Sequence, residues 1–213
     1  MTTVSLWKAP LLAAQSVWLR ARRPLAPKPH AQDHGTVPGP GRPAFRLAVL
    51  GESTAVGAST PHHTGIAEAL AAELRDKLGR QVDWTVRRAH GSTVRFIRHH
   101  MIPQAANDHD LVVLMAGTSD AIGGESLHDW SIDMAAAIQD LAVRNRHVLV
   151  GGIPGLRDYP HLPHPLAEFL DRRAREMDAE TARIVAGCDN VTFASSRGIC
   201  PLEREMFAGT GCT

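Results

Sequence analysis

From residue 45 onward the sequence alternates short apolar runs with longer segments whose apolar residues recur every three or four positions. A run of four to six apolar residues suits a strand buried on both faces, and the three-to-four spacing suits a helix with one face packed against it. Five runs occur, at residues 45–50, 82–86, 111–115, 147–150 and 190–193. Between them, Ile66, Leu70, Leu74 and Leu78 share one helical face that Gly79 closes, and Leu127, Trp130, Met134, Ile138 and Leu141 share another. Residues 166–185 form the longest such pattern, with Leu166, Phe169, Leu170, Met177 and Ile184 to one side. A shorter helical segment, residues 93–101, is predicted to end before Pro103, since proline disfavours helix at the residue preceding it. Strands and helices in this order predict an α/β fold, a flavodoxin-like three-layer α/β/α sandwich around a five-stranded parallel sheet.

Upstream the pattern stops. Residues 24–44 are dense in Pro, Gly and His with no hydrophobic period, which predicts a linker between an N-terminal helix at residues 1–23 and a domain at residues 45–213. The apolar stretch at residues 9–19 is interrupted by Gln15 and Ser16, is too short to span a bilayer, and has Arg20, Arg22 and Arg23 after it. A secretory signal carries its positive charge before the apolar run, so a helix docked on its own domain is the favoured reading and attachment to a membrane surface the less favoured one. Cys188, Cys200 and Cys212 are an odd number, which points to free thiols and a cytoplasmic location. With 23 basic and 22 acidic residues the net charge is +1, leaving no electrostatic footprint for nucleic acid and favouring a small-molecule partner.

In parallel sheets ligands bind outside the carboxyl ends of the strands. Three of the predicted strand ends carry a glycine with hydroxyl side chains: residues 51–57, Gly-Glu-Ser-Thr-Ala-Val-Gly; residues 90–93, His-Gly-Ser-Thr; and residues 116–120, Ala-Gly-Thr-Ser-Asp. Glycine permits a sharp turn and a close backbone approach, and the N–H groups at the start of the following helix favour a developing negative charge. That is the geometry of an oxyanion hole with an exposed serine beside it. Taken singly, each loop is equally well a local helix cap.

As an ordered set, the three loops resemble the conserved blocks of the SGNH (GDSL) hydrolases, in their bacterial members especially. Residues 47–57 resemble the first block, in a Gly-Glu-Ser form, and the resemblance implies that Ser53 is the nucleophile. Residues 90–93 resemble the second, which assigns an oxyanion-hole N–H to Gly91. Residues 117–120 resemble the third, Gly-x-Asn-Asp, with Ser119 at the position of the asparagine that donates to the oxyanion. A serine hydroxyl is a shorter donor for the same place. The fourth block, Asp-x-x-His, supplies the base and the acid that orients it; here Thr210 stands for the aspartate and Thr213 for the histidine, and the family's final helix does not follow. The resemblance therefore implies a cofactor-free esterase acting on a small-molecule ester, with its activity impaired.

Other readings of the same residues remain. Twelve histidines invite a metal, above all His62-His63, His99-His100 and the pair His161 and His164, but neighbours in sequence face opposite ways and no ligand spacing is complete. Any of them is a candidate substitute base. The glycine-rich loop at residues 51–57 lacks the lysine of a P-loop, and Gly-x-Gly-x-x-Gly is absent, so a flavodoxin-like small-molecule or nucleotide-binding module is the alternative class. A third is an inactive homologue that binds an ester without turning it over. Glu52 and Asp120 read as loop-fixing carboxylates rather than catalytic acids.

Overall fold

A computed structural model of the chain describes residues 14–15, 33–52, 65–105, 107–157 and 162–197. The elements are β1 (His34–Val37), β2 (Gly41–Gly51), α1 (Ile66–Leu78), β3 (Arg80–Arg88), β4 (Leu111–Met115), α2 (Thr118–Gly123), α3 (Leu127–Arg144), β5 (Val148–Gly151), α4 (Leu166–Val185) and β6 (Val191–Ala194). They build one six-stranded sheet in the order β1-β3-β2-β4-β5-β6. All five expected strands form, pair in parallel, and stand in the flavodoxin-like order.

Side chains alternate across the sheet and so divide the core in two. Ala48 and Leu50 of β2 face one way, joining Val112, Leu114, Val148 and Val150 beneath Trp130, Met134, Ile138, Leu166, Leu170 and Met177 of α3 and α4. Leu47 and Val49 face the other way, joining Val82, Trp84, Val86 and Val113 beneath Ala67 and Ala71 of α1. Each fully buried aliphatic side chain here contributes about 1.5–3 kcal/mol. Gly79 ends α1 in a left-handed conformation, φ 61°, with its N–H donating to Arg75 O at 2.9 Å.

Two expectations are corrected. Residues 24–44 are not all linker: His34–Val37 pairs antiparallel with β3, and β2 begins at Gly41. The sheet is therefore mixed, with an added edge strand. Gly35 belongs to that strand because it lies across the Trp84 indole, where a Cβ would come within 2.6 Å of Cζ2. Pro43 sits where the β2–β3 register slips between Gly41 and Phe45, so its missing N–H removes no ladder bond. A four-residue edge strand, His-Gly-Thr-Val, is too short to carry a hydrophobic alternation to read. The second correction concerns Pro103. Helical backbone does not stop before it but passes through an α-turn (Val94–Phe96), a π-helical turn (Ile97–Met101) and a 3-10 turn (Ile102–Gln104). Pro103 falls at the start of the last turn, where an N–H has no intrahelical partner in any case.

Of the expected N-terminal helix only Ala14 and Gln15 are described; both are helical, and Gln15 Nε2 donates to His164 O at 3.0 Å. Among the described residues no helix is long and apolar enough to cross a membrane. Cys188 is a free thiol, while Cys200 and Cys212 lie outside the described residues.

Candidate active site at the carboxyl edge of the sheet

Strand register lines up Arg88, Gly51, Met115, Gly151 and Ala194 across the sheet, so the segments that follow them share one edge. Gly51 approaches β4 too closely for any side chain, since a Cβ would lie 2.1 Å from Met115 O. Glu52 N–H then donates to that same carbonyl at 3.1 Å, and the Glu52 side chain passes beneath the third loop.

There it does the work of a helix cap. Oε1 accepts the N–H groups of Gly117 (2.7 Å) and Thr118 (2.8 Å), and Oε2 accepts the N–H of Ser119 (2.9 Å) and its hydroxyl (2.7 Å). The residue preceding α2 is Gly117, which has no side chain for this task, so a carboxylate from another strand satisfies the first N–H groups of the helix and meets its positive end. Glycine is required at 117: its φ is 125°, and a Cβ would meet Ile153 Cδ1 at 2.5 Å. Burial pushes the Glu52 carboxyl above its ordinary range, and the bonds from Ser119, Gly117 and Thr118 oppose that without cancelling it.

The second loop is a tight turn. Ser92 N–H donates to Ala89 O at 3.3 Å, with Gly91 at φ 69°, the third position of a type II turn, where positive φ selects glycine. Ser92 Oγ donates to Ala89 O at 3.0 Å, and Thr93 Oγ1 accepts Phe96 N–H at 3.3 Å, so both hydroxyls are local braces. Among the described residues nothing accepts the Gly91 N–H. Asp120 joins the second and third loops, both carboxylate oxygens accepting Val94 N–H at 3.2 and 3.1 Å.

Asp120 is 1% exposed, and burial raises its pKa from 3.8 to about 7, with the Val94 bond opposing and the nearby Glu52 adding to the rise. The folded protein thus holds a proton that the unfolded chain releases near pH 3.8. The stability contributed by this group is full below that pH and is lost as pH rises through about 7. Relative to Asp120→Asn, the wild type should lose stability across that window, with a slope no steeper than about 1.4 kcal/mol per pH unit. Urea midpoints of the two proteins at several pH values measure this, and parallel curves would contradict it.

A second network was not foreseen. Asp171 and Asp178, two turns apart on the buried face of α4, accept the N–H groups of Leu156 (3.0 Å) and Ile153 (2.9 Å) from the loop after β5. Both also hold Arg197, just past β6: Nη1 donates to Asp171 Oδ1 at 2.8 Å and Nε to Asp178 Oδ2 at 3.4 Å. Burial works to raise the Asp171 carboxyl, but the bonds from Arg197, Leu156 and Arg175 bring it below its ordinary value. The one signal available in sequence was an aspartate repeated at seven residues within the apolar face of Leu170, Ala174 and Met177.

Of the expected site residues, Gly91 and Ser119 come to this edge, together with Glu52 and Asp120. Ser119 does not turn its hydroxyl to open space; the serine is short, and its one proton goes to Glu52. Ser53 follows Glu52 directly but lies outside the described residues, as do Thr210 and Thr213. So do His62, His63 and His161, while His164 is exposed with Nδ1 3.9 Å from Glu168 Oε1. Among the described residues no group of three or more His, Cys, Asp or Glu could hold a metal ion.

A model of the GDSL-like lipase/acylhydrolase family matches residues 49–209. Solved structures with a similar fold include a member of the lipolytic G-D-S-L family from Veillonella parvula (19% identity, 71% of this chain and 78% of that one, TM-score 0.56). They include the SGNH-hydrolase family esterase AlinE4 (15% identity, 73% and 77%, TM-score 0.56). A third is the acetylxylan esterase Axe2 from Geobacillus stearothermophilus, seen as a catalytic mutant (14% identity, 70% and 74%, TM-score 0.51). No curated protein matches the chain.

Proposed function

The chain belongs to the GDSL-like lipase/acylhydrolase family, and on that premise we propose that it hydrolyses a small carboxylic ester through Ser53. The observation that carries this reading is the Glu52 brace, which holds the third loop against the residue immediately before Ser53. The Gly91 turn follows β3, the strand that pairs with β2. Attack by Ser53 Oγ on the ester carbonyl places negative charge on the carbonyl oxygen, and the N–H groups of Gly91 and Ser53 stabilise it. The alcohol leaves, and water releases the acyl group. Ser119 serves this site through Glu52, fixing the carboxylate and with it the loop backbone.

Thr210 and Thr213 stand where the family pattern has its acid and base, so turnover by that route is low. The reaction needs no cofactor. The test is the hydrolysis of 4-nitrophenyl acetate by the full chain and by Ser53→Ala. Turnover above buffer that disappears in the variant supports the reading, and equal turnover in both proteins contradicts it.

A further inference from the structure

We propose that a groove over the open face of β3 binds a small carboxylate through Arg87, Thr85 and His34, and that the ester this chain prefers carries such a group; the second half rests on the esterase reading.

The connection from β3 to β4 runs past β2, because the sheet order is β3-β2-β4. Its helical turns pack Val94, Ile97, Met101 and Ile102 into the core with Ala48 and Leu50 of β2, and leave the same face of β3 uncovered. Strand register puts His34, Thr85 and Ala48 in one row across β1, β3 and β2, and Arg87 beside Leu50 two residues on. Residues so paired point to one face of the sheet. On β2 that face is buried, whereas His34, Thr85 and Arg87 are exposed. Trp84 and Val86, which alternate with them, are buried on the other face with Ala67 and Ala71 of α1.

A cavity of about 280 Å³ lies over this face. Its polar lining is Asp33, His34, Thr85 and Arg87, and Ala48, Leu50 and Ala105 give it an apolar part. The carboxylates nearby are already engaged. Asp33 pairs with Arg88 at 3.2 Å, and Asp83, the previous residue of β3 on this face, accepts Thr36 Oγ1 at 2.7 Å and Gln81 Nε2 at 3.0 Å. Among the described residues nothing takes the Arg87 guanidinium, the Thr85 hydroxyl or the His34 ring. That leaves a positive charge with two further donors beside it. A guanidinium fork grips both oxygens of a carboxylate, and a hydroxyl and a ring N–H supply further bonds to it. The apolar part suits a few methylenes. The volume lies below the roughly 300–1,000 Å³ of pockets for drug-sized ligands, so the ligand is short. Leu50 and Arg87 stand one residue before Gly51 and Arg88, which belong to the candidate site edge. A carboxylate held on Arg87 therefore directs the rest of its molecule toward that edge, as the acyl part of a half-ester of a short dicarboxylic acid would require.

The experiment has a binding arm and a kinetic arm. Titration calorimetry at low salt measures glutarate, glutaramide and inorganic phosphate on the full chain, on Arg87→Gln and on Thr85→Val. Glutarate should bind about tenfold or more tightly than either other probe, since the amide lacks the charge and phosphate lacks the methylenes. Arg87→Gln should weaken glutarate by about tenfold, and Thr85→Val by a smaller factor. Both positions are exposed, so neither substitution disturbs the core. In hydrolysis, kcat/KM for mono-4-nitrophenyl glutarate should exceed that for 4-nitrophenyl butyrate, and the ratio should fall about tenfold in Arg87→Gln, mainly through KM. Glutarate held no better than glutaramide or phosphate, or held equally by wild type and Arg87→Gln, overturns the site. A wild type that turns over the butyrate ester more efficiently overturns the preference. Glutarate binding that depends on Arg87, with no Ser53-dependent turnover of either ester, upholds the site and counts against the esterase reading instead.

Discussion

Glu52→Ala is expected to cost about 3–5 kcal/mol, a large share of the 5–15 kcal/mol that holds a domain of this size together. The Glu52 carboxylate is 4% exposed and is the acceptor for three backbone N–H groups and one hydroxyl. A buried donor left without an acceptor costs about 1–3 kcal/mol, and water entering the vacated space recovers part of the sum. Glu52→Gln is the sharper variant, because it keeps the length and volume. Its carbonyl still serves Gly117 and Thr118, while its amide brings N–H groups against the N–H of Ser119. Its loss should be smaller, about 1–3 kcal/mol. Urea unfolding measures both, and a Glu52→Ala protein within about 1 kcal/mol of wild type would show that the brace is not what orders the third loop.

Thr210→Asp combined with Thr213→His is expected to raise ester hydrolysis by about 10²- to 10⁴-fold. A positioned base contributes about 10²–10⁴, and in the serine-protease template a correct orienting acid is worth about 10⁴. The gain should appear in kcat rather than KM, because neither residue binds the ester in its ground state. It should also vanish when Ser53→Ala is added. A doubly substituted chain that folds but stays at the wild-type rate would remove the argument that positions 210 and 213 limit turnover.

Much of the fold was legible because burial writes itself into periodicity. The run at 111–115 and the three-to-four spacing of residues 166–185 became β4 and α4, both with the same bounds. The His34–Val37 strand was not legible, since its residues pair through backbone and its close approach to Trp84 is made by a glycine that lacks a side chain. Glycines at 51, 91 and 117 marked the site edge, for each is required by a close approach or a positive φ. Ser119 shows the limit of reading by position. The sequence places a donor there, but which acceptor takes its proton depends on the Glu52 carboxylate 67 residues away. The Arg197 clamp was hidden for the same reason, its partners Asp171 and Asp178 lying 26 and 19 residues before it.

The most direct test of the central claim is to mix the full chain with a short-chain nitrophenyl ester, quench in acid, and map the acyl group by mass spectrometry. A nucleophile with a weak base deacylates slowly, so one acyl group per chain should be found on the peptide containing Ser53 and should be missing from Ser53→Ala. Acylation at another residue, or none while the chain still hydrolyses the ester, would contradict Ser53 as the nucleophile.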